Sequence, residues 1–524
     1  MKVMEELLAE GLIGWLFILI IVVSSVLGVH YYLSTRRYYQ LARKIPAPPG
    51  LPIIGHALDF LKGTEEVFHN VWDTIIDGDV CKLWLGSRLL VFIRNPADVE
   101  LVLSSRTHLC RPSENNYFEP WQGDGINTVS GCKWKAYRQL IAPIFQLPEI
   151  FEPILRYNSR TFENKLFKSI GKDVDCYNYM SESVMEVLLV SILGDNNNTD
   201  ESKNYSQAIQ KLSKIIRCKQ NKLWFYPVLI FNLTKLAKLQ KNLLVIISRF
   251  TRQAVKKRKE VLIKHRQPKD GYIFENQNSD TENNNNNTDC MKEAKRSLSL
   301  LDLLMEISNN GITLMDCEVQ NQVDALMLEG HNTTALSGSY FLKIMADRPD
   351  VQEKCVAELN EIFGDSDRPV TLEDTLEMKY LERCLMETLR IYPPVSFIAR
   401  ELQEDLRLAS TNLTIPAETT VMIDVKKVHM NKDLYSSPDA FDPDNFLLEN
   451  CVSRHYYSFI PFSAGPKSCI GRKYSIFILK VLISSVLRKY RILPASHKES
   501  MKPKVLKWTD ELLIRLELRK EKKF

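Results

Sequence analysis

The sequence predicts a mainly α-helical body with small β-sheets near each end, carried behind an N-terminal transmembrane helix. Three observations predict it. From Gly11 to Thr35 the chain has no Asp, Glu, Lys or Arg. From about Pro96 to Ile391, and again after Gly471, helical patterns dominate. Strand-like stretches are confined to the region around Cys81–Arg94 and to short segments past Pro394, such as Thr420–Asp424. No internal repeat is present. At 524 residues, with 45% hydrophobic and 25% charged content, the chain can bury one large core.

The N-terminal run, centred on Trp15 to Val23, is long enough for a helix of about 20 apolar residues, which spans a bilayer core. Tyr31, Tyr32, Arg36 and Arg37 close it as an interfacial anchor. A cleaved signal peptide, the rival reading, has a shorter apolar core and a small-residue cleavage site. Glu5, Glu6 and Glu10 precede the span, and Arg36, Arg37, Arg43 and Lys44 follow it, so the positive-inside bias puts the body in the cytosol. The expected division is a lumenal terminus at 1–11, an anchor at 12–33, a basic Pro-rich hinge at 34–52 and a catalytic domain at 53–524. The expected location is the endoplasmic reticulum membrane.

Ile45 to Pro52 reads Ile-Pro-Ala-Pro-Pro-Gly-Leu-Pro, a stiff extended segment rather than a helix. The Asn-rich stretches Asn196–Asn198 and Gln277–Asp289 read as surface loops, the second within a disordered loop at about 275–295. Lys plus Arg exceeds Asp plus Glu by 69 − 64 = 5, too little to suggest a nucleic-acid partner. Eleven cysteines without a C-x-x-C pair suggest neither a disulfide framework nor a zinc ribbon. Asn-x-Ser/Thr triplets at Asn197, Asn204, Asn232 and Asn332 would be unused in a cytosolic body.

One cysteine has an informative setting. Phe462-Ser-Ala-Gly465-Pro-Lys467-Ser-Cys469-Ile-Gly471 opens a helix. Gly465 and Gly471 allow a tight turn and close approach to a flat ligand. The following helix N-terminus and nearby amides favour a thiolate. Such a thiolate is the soft, electron-donating ligand that favours O–O cleavage at haem iron. A buried cysteine in a glycine turn is the bland alternative. The segment resembles the haem-binding loop of the cytochrome P450 family, with Lys467 where that family usually has Arg. Lysine still meets a propionate, but without the bidentate fork.

Glu387 and Arg390 sit at i and i+3 on a helix that stops at Pro393-Pro394, so their side chains can pair. A lone pair of this kind is most often a surface salt bridge. Its place about eighty residues before Cys469 resembles the family's Glu/Arg lock. The third member, usually Arg, falls at Asn445 in Phe441-Asp-Pro-Asp-Asn-Phe446, and a neutral amide predicts a weaker lock. Arg400 matches a family arginine that meets a propionate.

Glu329-Gly330-His331-Asn332-Thr333-Thr334 lies in a helix expected from about Asp316 to Ala346. Mid-helix glycine and a threonine bonding back to the i−4 carbonyl open a local bulge where O₂ fits. An ordinary core helix with an incidental glycine is the alternative. The resemblance makes Thr333 the proton-relay hydroxyl. Asn332 stands where the family has a carboxylate and cannot shuttle protons as one. Delivery would then run through Glu329, His331 and water. In the branch most resembled, the glutamate matching Glu329 can form an ester to a haem methyl. Trp134 and Arg138, at i and i+4, can both reach a propionate, and a Trp packed under an exposed Arg is the alternative.

The resemblance runs from the anchor nearly to the C-terminus and is greatest to the branch of fatty-acid ω-hydroxylases and related insect members. It implies haem b as cofactor and O₂ insertion into a lipophilic small molecule: a fatty acid, terpenoid, steroid or xenobiotic. It implies electrons from NADPH through a separate NADPH–cytochrome P450 reductase, with cytochrome b5 as a second donor. The basic face around the Cys469 loop is the expected docking surface. Two alternatives stay open: a haem-thiolate isomerase or lyase needing no proton relay, and a low-turnover haem-binding protein.

Overall fold

The structure is a computed structural model that describes residues 19–26, 29, 35–63, 67–68, 78–146, 148–194, 199–266, 299–309, 314–496 and 511–519. Most of the expected anchor, the 275–295 loop and Asn196–Asn198 lie outside these residues. Residues 19–26 are helical and exposed. Among the described residues no helix is long and apolar enough to cross a membrane.

β1 (Val80–Leu85) and β2 (Arg88–Ile93) form an antiparallel hairpin around Gly86-Ser87. The Pro-rich segment that precedes them is strapped onto β1. His56 Nδ1 accepts from the Trp84 amide at 3.0 Å, and its Nε2 lies 3.1 Å from the Pro48 carbonyl. Lys82 donates from its amide to Pro46 at 2.9 Å and from Nζ to Ala42 at 2.5 Å. Gly55 makes the fit possible: its φ is +61°, and a Cβ there would lie 2.4 Å from the Trp84 carbonyl oxygen.

The helices that position the site follow: α1 (Gly131–Ile141), α2 (Cys176–Leu193), α3 (Asp200–Asn221), α4 (Lys235–Arg266), α5 (Asp316–Asp347), α6 (Pro349–Phe363) and α7 (Lys379–Ile391). β3 (Asp173–Asp175) immediately precedes α2. After α7 come β4 (Phe397–Glu401), β5 (Leu406–Arg407), β6 (Thr414–Ile415) and β7 (Thr420–Asp424). α8 (Arg472–Lys489) leads into β8 (Tyr490–Pro494) and β9 (Leu513–Leu518). The larger sheet has the order β1-β2-β7-β4, with β7 parallel to β2 and antiparallel to β4. The second sheet is β3-β9-β8, and β5 and β6 pair alone. The mostly helical body with sheets near both ends matches the sequence reading.

α5 is the spine. It packs along α2 and also touches α4, α6, α7 and α8. Its C-terminal half, from Thr334 to Ala346, is buried on every side, which is why it reads as apolar without a clean amphipathic stripe. The polar residues that such a helix must bury bond to the preceding turn: Ser337 Oγ donates to Thr333 O and Ser339 Oγ to Ala335 O, both at 2.7 Å. α7 ends at Ile391 because Pro393 pushes Tyr392 to φ −125°, ψ 66°, away from the helical region.

Candidate haem site

The Cys469 loop is shaped from within. The Cys469 amide donates to the Phe462 carbonyl at 2.9 Å and the Ser468 amide to Gly465 at 3.0 Å. Gly465 has φ +68°, and a Cβ there would come within 1.9 Å of the Leu103 carbonyl oxygen. The glycine is thus required by backbone packing behind the loop. Gly471 has ordinary backbone angles and open space where its Cβ would be. Arg472 stacks over the Phe462 ring at 5.7 Å.

Cys469 and Glu329 share an unusual setting. Both are accessible to water, yet surrounding protein raises both pKa values through burial. Each also lies in a buried neighbourhood, so the accessible surface belongs to an inner opening and not to the outside of the body. They are close enough that the Glu329 charge further raises the Cys469 pKa, while the Gly471 amide, Arg138 and Arg472 lower it. The thiol at the head of α8 and the middle of α5 therefore face one opening.

On the α5 side, Thr333 Oγ donates to the Glu329 carbonyl at 2.7 Å, the back-bond expected from sequence. The helix nonetheless runs unbroken from Asp316 to Asp347. Gly330 points the other way: a Cβ there would sit 3.2 Å from Leu188 on α2, so it sets the approach of the two helices. Asn127 Nδ2 donates to Glu329 Oε1 at 2.6 Å. Burial, the largest influence, raises the Glu329 pKa, while Arg111 and Gln122 lower it. Asn332 Oδ1 accepts from the Tyr177 hydroxyl at 3.5 Å. His331 is fully buried, with Nε2 at 2.9 Å from Ser181 Oγ, and burial brings its pKa down to about 4. Burial therefore favours the neutral form of His331.

The rim gathers three cations, Arg111, Arg400 and Lys467, and Glu329 acts only on the first of them. The Glu401 amide donates to the Cys110 carbonyl at 3.1 Å, which sets Arg111 beside Arg400. Lys467 lies over the Trp134 ring at 4.8 Å, and its Nζ is buried without a hydrogen-bond partner, as is Arg111 Nε. Burial, then Arg111 and Arg400, lowers the Lys467 pKa to about 7. Burial, then Arg111, brings Arg400 down to about 10. Mutual repulsion of three buried cations is unfavourable unless an anion joins them. A planar group with two carboxylates and a metal seeking a thiolate fits this set. Arg138 Nη1 donates to the Ser468 carbonyl at 2.6 Å and so braces the cysteine loop.

Behind the opening, Glu387 and Arg390 are completely buried and paired through two bonds of 2.7 Å. Asn445 Nδ2 donates to Glu387 Oε1 at 3.2 Å and the Asp442 amide at 2.9 Å. Asn445 therefore joins the lock as a neutral donor. His429 links this lock to the cysteine segment, with Nε2 accepting from the Ile460 amide at 2.8 Å and Nδ1 at 3.2 Å from the Arg390 carbonyl.

Arg111, Asn127 and Gln122 were not singled out by sequence. All three lie in the irregular stretch before α1, where no period or spacing marks them. Only its return to α5 reveals their role.

Fold and site define a class: a helical protein with a cysteine thiol and a carboxylate facing one inner opening rimmed by unbalanced cations. The cytochrome P450 profile matches residues 45–516. Cytochrome P450 4g15 of Drosophila melanogaster is 38% identical over 94% of both chains. Cytochrome P450 4g1 of the same organism is 39% identical, covering 88% of this chain and 86% of its own. Human cytochrome P450 4V2 is 29% identical over 89% and 88%. The chain belongs to the cytochrome P450 family, and it is a haem-dependent monooxygenase of the oxidoreductase class.

Proposed function

We propose that this chain hydroxylates or epoxidises a lipophilic small molecule, with Cys469 as the iron ligand and the Arg111, Arg400 and Lys467 cluster as the seat of the haem propionates. The observation carrying this reading is the nearness of Cys469 to Glu329, whose carbonyl accepts from the Thr333 hydroxyl on α5. When bound, the haem supplies reductive activation of O₂, delivering one oxygen atom to the substrate and the other to water. The protein's part is positioning. The Gly471 amide and the cations Arg138 and Arg472 favour the Cys469 thiolate. Trp134 supports Lys467 from beneath. Thr333 holds a hydroxyl at the opening, tied to the Glu329 carbonyl and available to pass a proton. Asn332 and Tyr177 form a neutral pair where a carboxylate would carry charge, so the relay uses hydroxyls and water. We also assign electron supply to a membrane-bound reductase fed by NADPH, since the chain has no flavin or nicotinamide fingerprint. The apolar N-terminal run supports our further proposal of an anchor in the endoplasmic reticulum membrane.

Reduced protein with carbon monoxide should give the red-shifted Soret band of a thiolate-ligated haem, and Cys469→Ala should lose it. A band that survives Cys469→Ala would remove Cys469 from the iron. Turnover with reductase and NADPH, but not with a peroxide alone, is the expected activity.

A further inference from the structure

Cys355 on α6 and Cys384 on α7 are both completely buried. Their sulfurs are in contact: the Cys355 thiol donates to Cys384 Sγ at 3.7 Å. Neither thiol takes part in the cysteine loop, the cation rim or the α5 turn described above. Among the described residues no third metal-ligating side chain joins them. The pair is a thiol–thiol contact and nothing more elaborate.

Its surroundings hold the two sulfurs in register. α6 packs on α7, and Glu358, one turn past Cys355, reaches across to the start of α7. Its Oε1 accepts from the Tyr380 amide at 2.6 Å and its Oε2 from the Leu381 amide at 2.9 Å. These are first-turn amides that have no partner within their own helix, and a carboxylate there makes a charge-assisted cap. Leu381 is in turn one helical turn before Cys384. On the other side, Cys384 stands one turn before Glu387, the acid of the buried pair with Arg390. The sulfurs thus sit between two contacts that keep α7 in place. A bond between them requires closing by about 1.7 Å, from 3.7 Å to roughly 2.05 Å, within reach of small side-chain rotations.

We propose that Cys355 and Cys384 are a modification site at which a peroxide forms a disulfide, cross-linking α6 to α7 beside the Glu387–Arg390 pair. The peroxide first oxidises one thiol to a sulfenic acid: its O–O bond breaks and it leaves as the alcohol, or as water from hydrogen peroxide. The second sulfur then attacks the first. The S–S bond forms, the S–O bond breaks, and the hydroxyl leaves as water with the second thiol's proton. Two electrons pass from the two thiols to one peroxide. The Cys384 contact and burial hold the Cys355 thiol well above its ordinary pKa, so the reactive thiolate is scarce and the step is slow. Exposed Cys132, Cys317 and Cys451 meet an oxidant sooner, whereas the buried pair has its resolving thiol already in contact.

The test exposes full-length holoenzyme in lipid nanodiscs to hydrogen peroxide for graded times, stops the reaction with catalase, then denatures and alkylates with N-ethylmaleimide. Peptide mass spectrometry should show a linked Cys355–Cys384 pair, lighter by two hydrogens, that grows over the time course and is lost on reduction with dithiothreitol. Diamide, a thiol oxidant that spares the haem, should give the same pair. The linked protein should melt about 2–5 °C above the reduced one. Cys355→Ser and Cys384→Ser should show neither the link nor the rise. Absence of the link with both oxidants overturns the proposal, as does pairing of either cysteine with another partner. A link that forms only when oxidant is added after denaturation also overturns it, and so does a link without a rise in melting temperature. If a serine variant fails to fold, the wild-type time course and its reversal by dithiothreitol decide. Because mass reads the link, the outcome stands apart from the monooxygenase reading.

Discussion

The protein buries cations in two settings, Arg390 beside Glu387 and the cluster of Arg111, Arg400 and Lys467, and they are built on opposite principles. Arg390 has 0% exposure, and it donates to both oxygens of Glu387 and to the carbonyls of His429, Pro438 and Ala440. Tyr435 covers its guanidinium at 4.8 Å. Its charge is fully answered by the chain. Burial lowers the pKa of Arg111, Arg400 and Lys467 alike; Arg111 depresses the other two, Arg400 depresses Lys467, and Glu329 offsets part of the shift at Arg111. The first group is complete when the chain folds. On the proposed haem seat, a dianionic cofactor would complete the second.

The largest test of this contrast is Glu387→Ala. Removing one partner of a buried pair strands the other charge, and the expected loss is about 3–5 kcal/mol of stability. Thermal unfolding and the yield of folded protein measure it, and an unaffected melting temperature would contradict the claim that Arg390 depends on Glu387. Lys467→Met should do the reverse to the cofactor-free chain, leaving it as stable or more so near neutral pH. Haem affinity should fall by about tenfold, since one charge-assisted contact is lost. Haem transfer to an acceptor protein reads that change.

Linkage gives a third, smaller effect. Lys467 titrates at about 7 in the folded cofactor-free chain against an ordinary 10.5. Between those values the unfolded chain binds more protons, so stability rises with pH through that window. Cofactor-free wild type should gain melting temperature between pH 7 and pH 9, and Lys467→Met should not show this gain. His429 shows the same sign at lower pH: burial brings it down to about 3 from 6.5. Stability attached to neutral His429 should therefore be lost as pH falls below about 6.5. The smallest effect is expected from Asn445→Ala, at about 0.5–1.5 kcal/mol for one hydrogen bond to Glu387.

The completed group was the easier to read from sequence. Glu387 and Arg390 share one helix face, and Pro393-Pro394 fixes where that helix ends. At the third position, Asn445 and the Asp442 amide both donate to the same carboxylate oxygen, adding hydrogen bonds but no charge. Cys469 was legible through its flanking residues, but the close approach of Leu103 behind Gly465 was not. The incomplete group was only half legible. Lys467, Arg400 and Trp134 lie in recognisable surroundings, but Arg111 sits between Cys110 and Pro112 with no periodic frame. A bridge from Cys110 to Glu401, almost three hundred residues away, delivers it. Likewise, no spacing in the sequence shows that α2 brings Ser181 onto His331.

The strap between residues 37 and 56 bears on how the body meets its surroundings. Arg37 pairs with Asp405 at 2.6 Å, Tyr39 stacks on Trp84, and His56 clasps Pro48 to the first strand. A loose leash of that length would let the body sweep a wide volume and turn at random. Fastened along its length, it leaves almost no slack. Whatever grips the chain ahead of residue 35 therefore steers the β1–β2 sheet as a rudder steers a hull. A partner confined to the same surface would then find the cysteine loop at a fixed bearing, so its search becomes one of position alone.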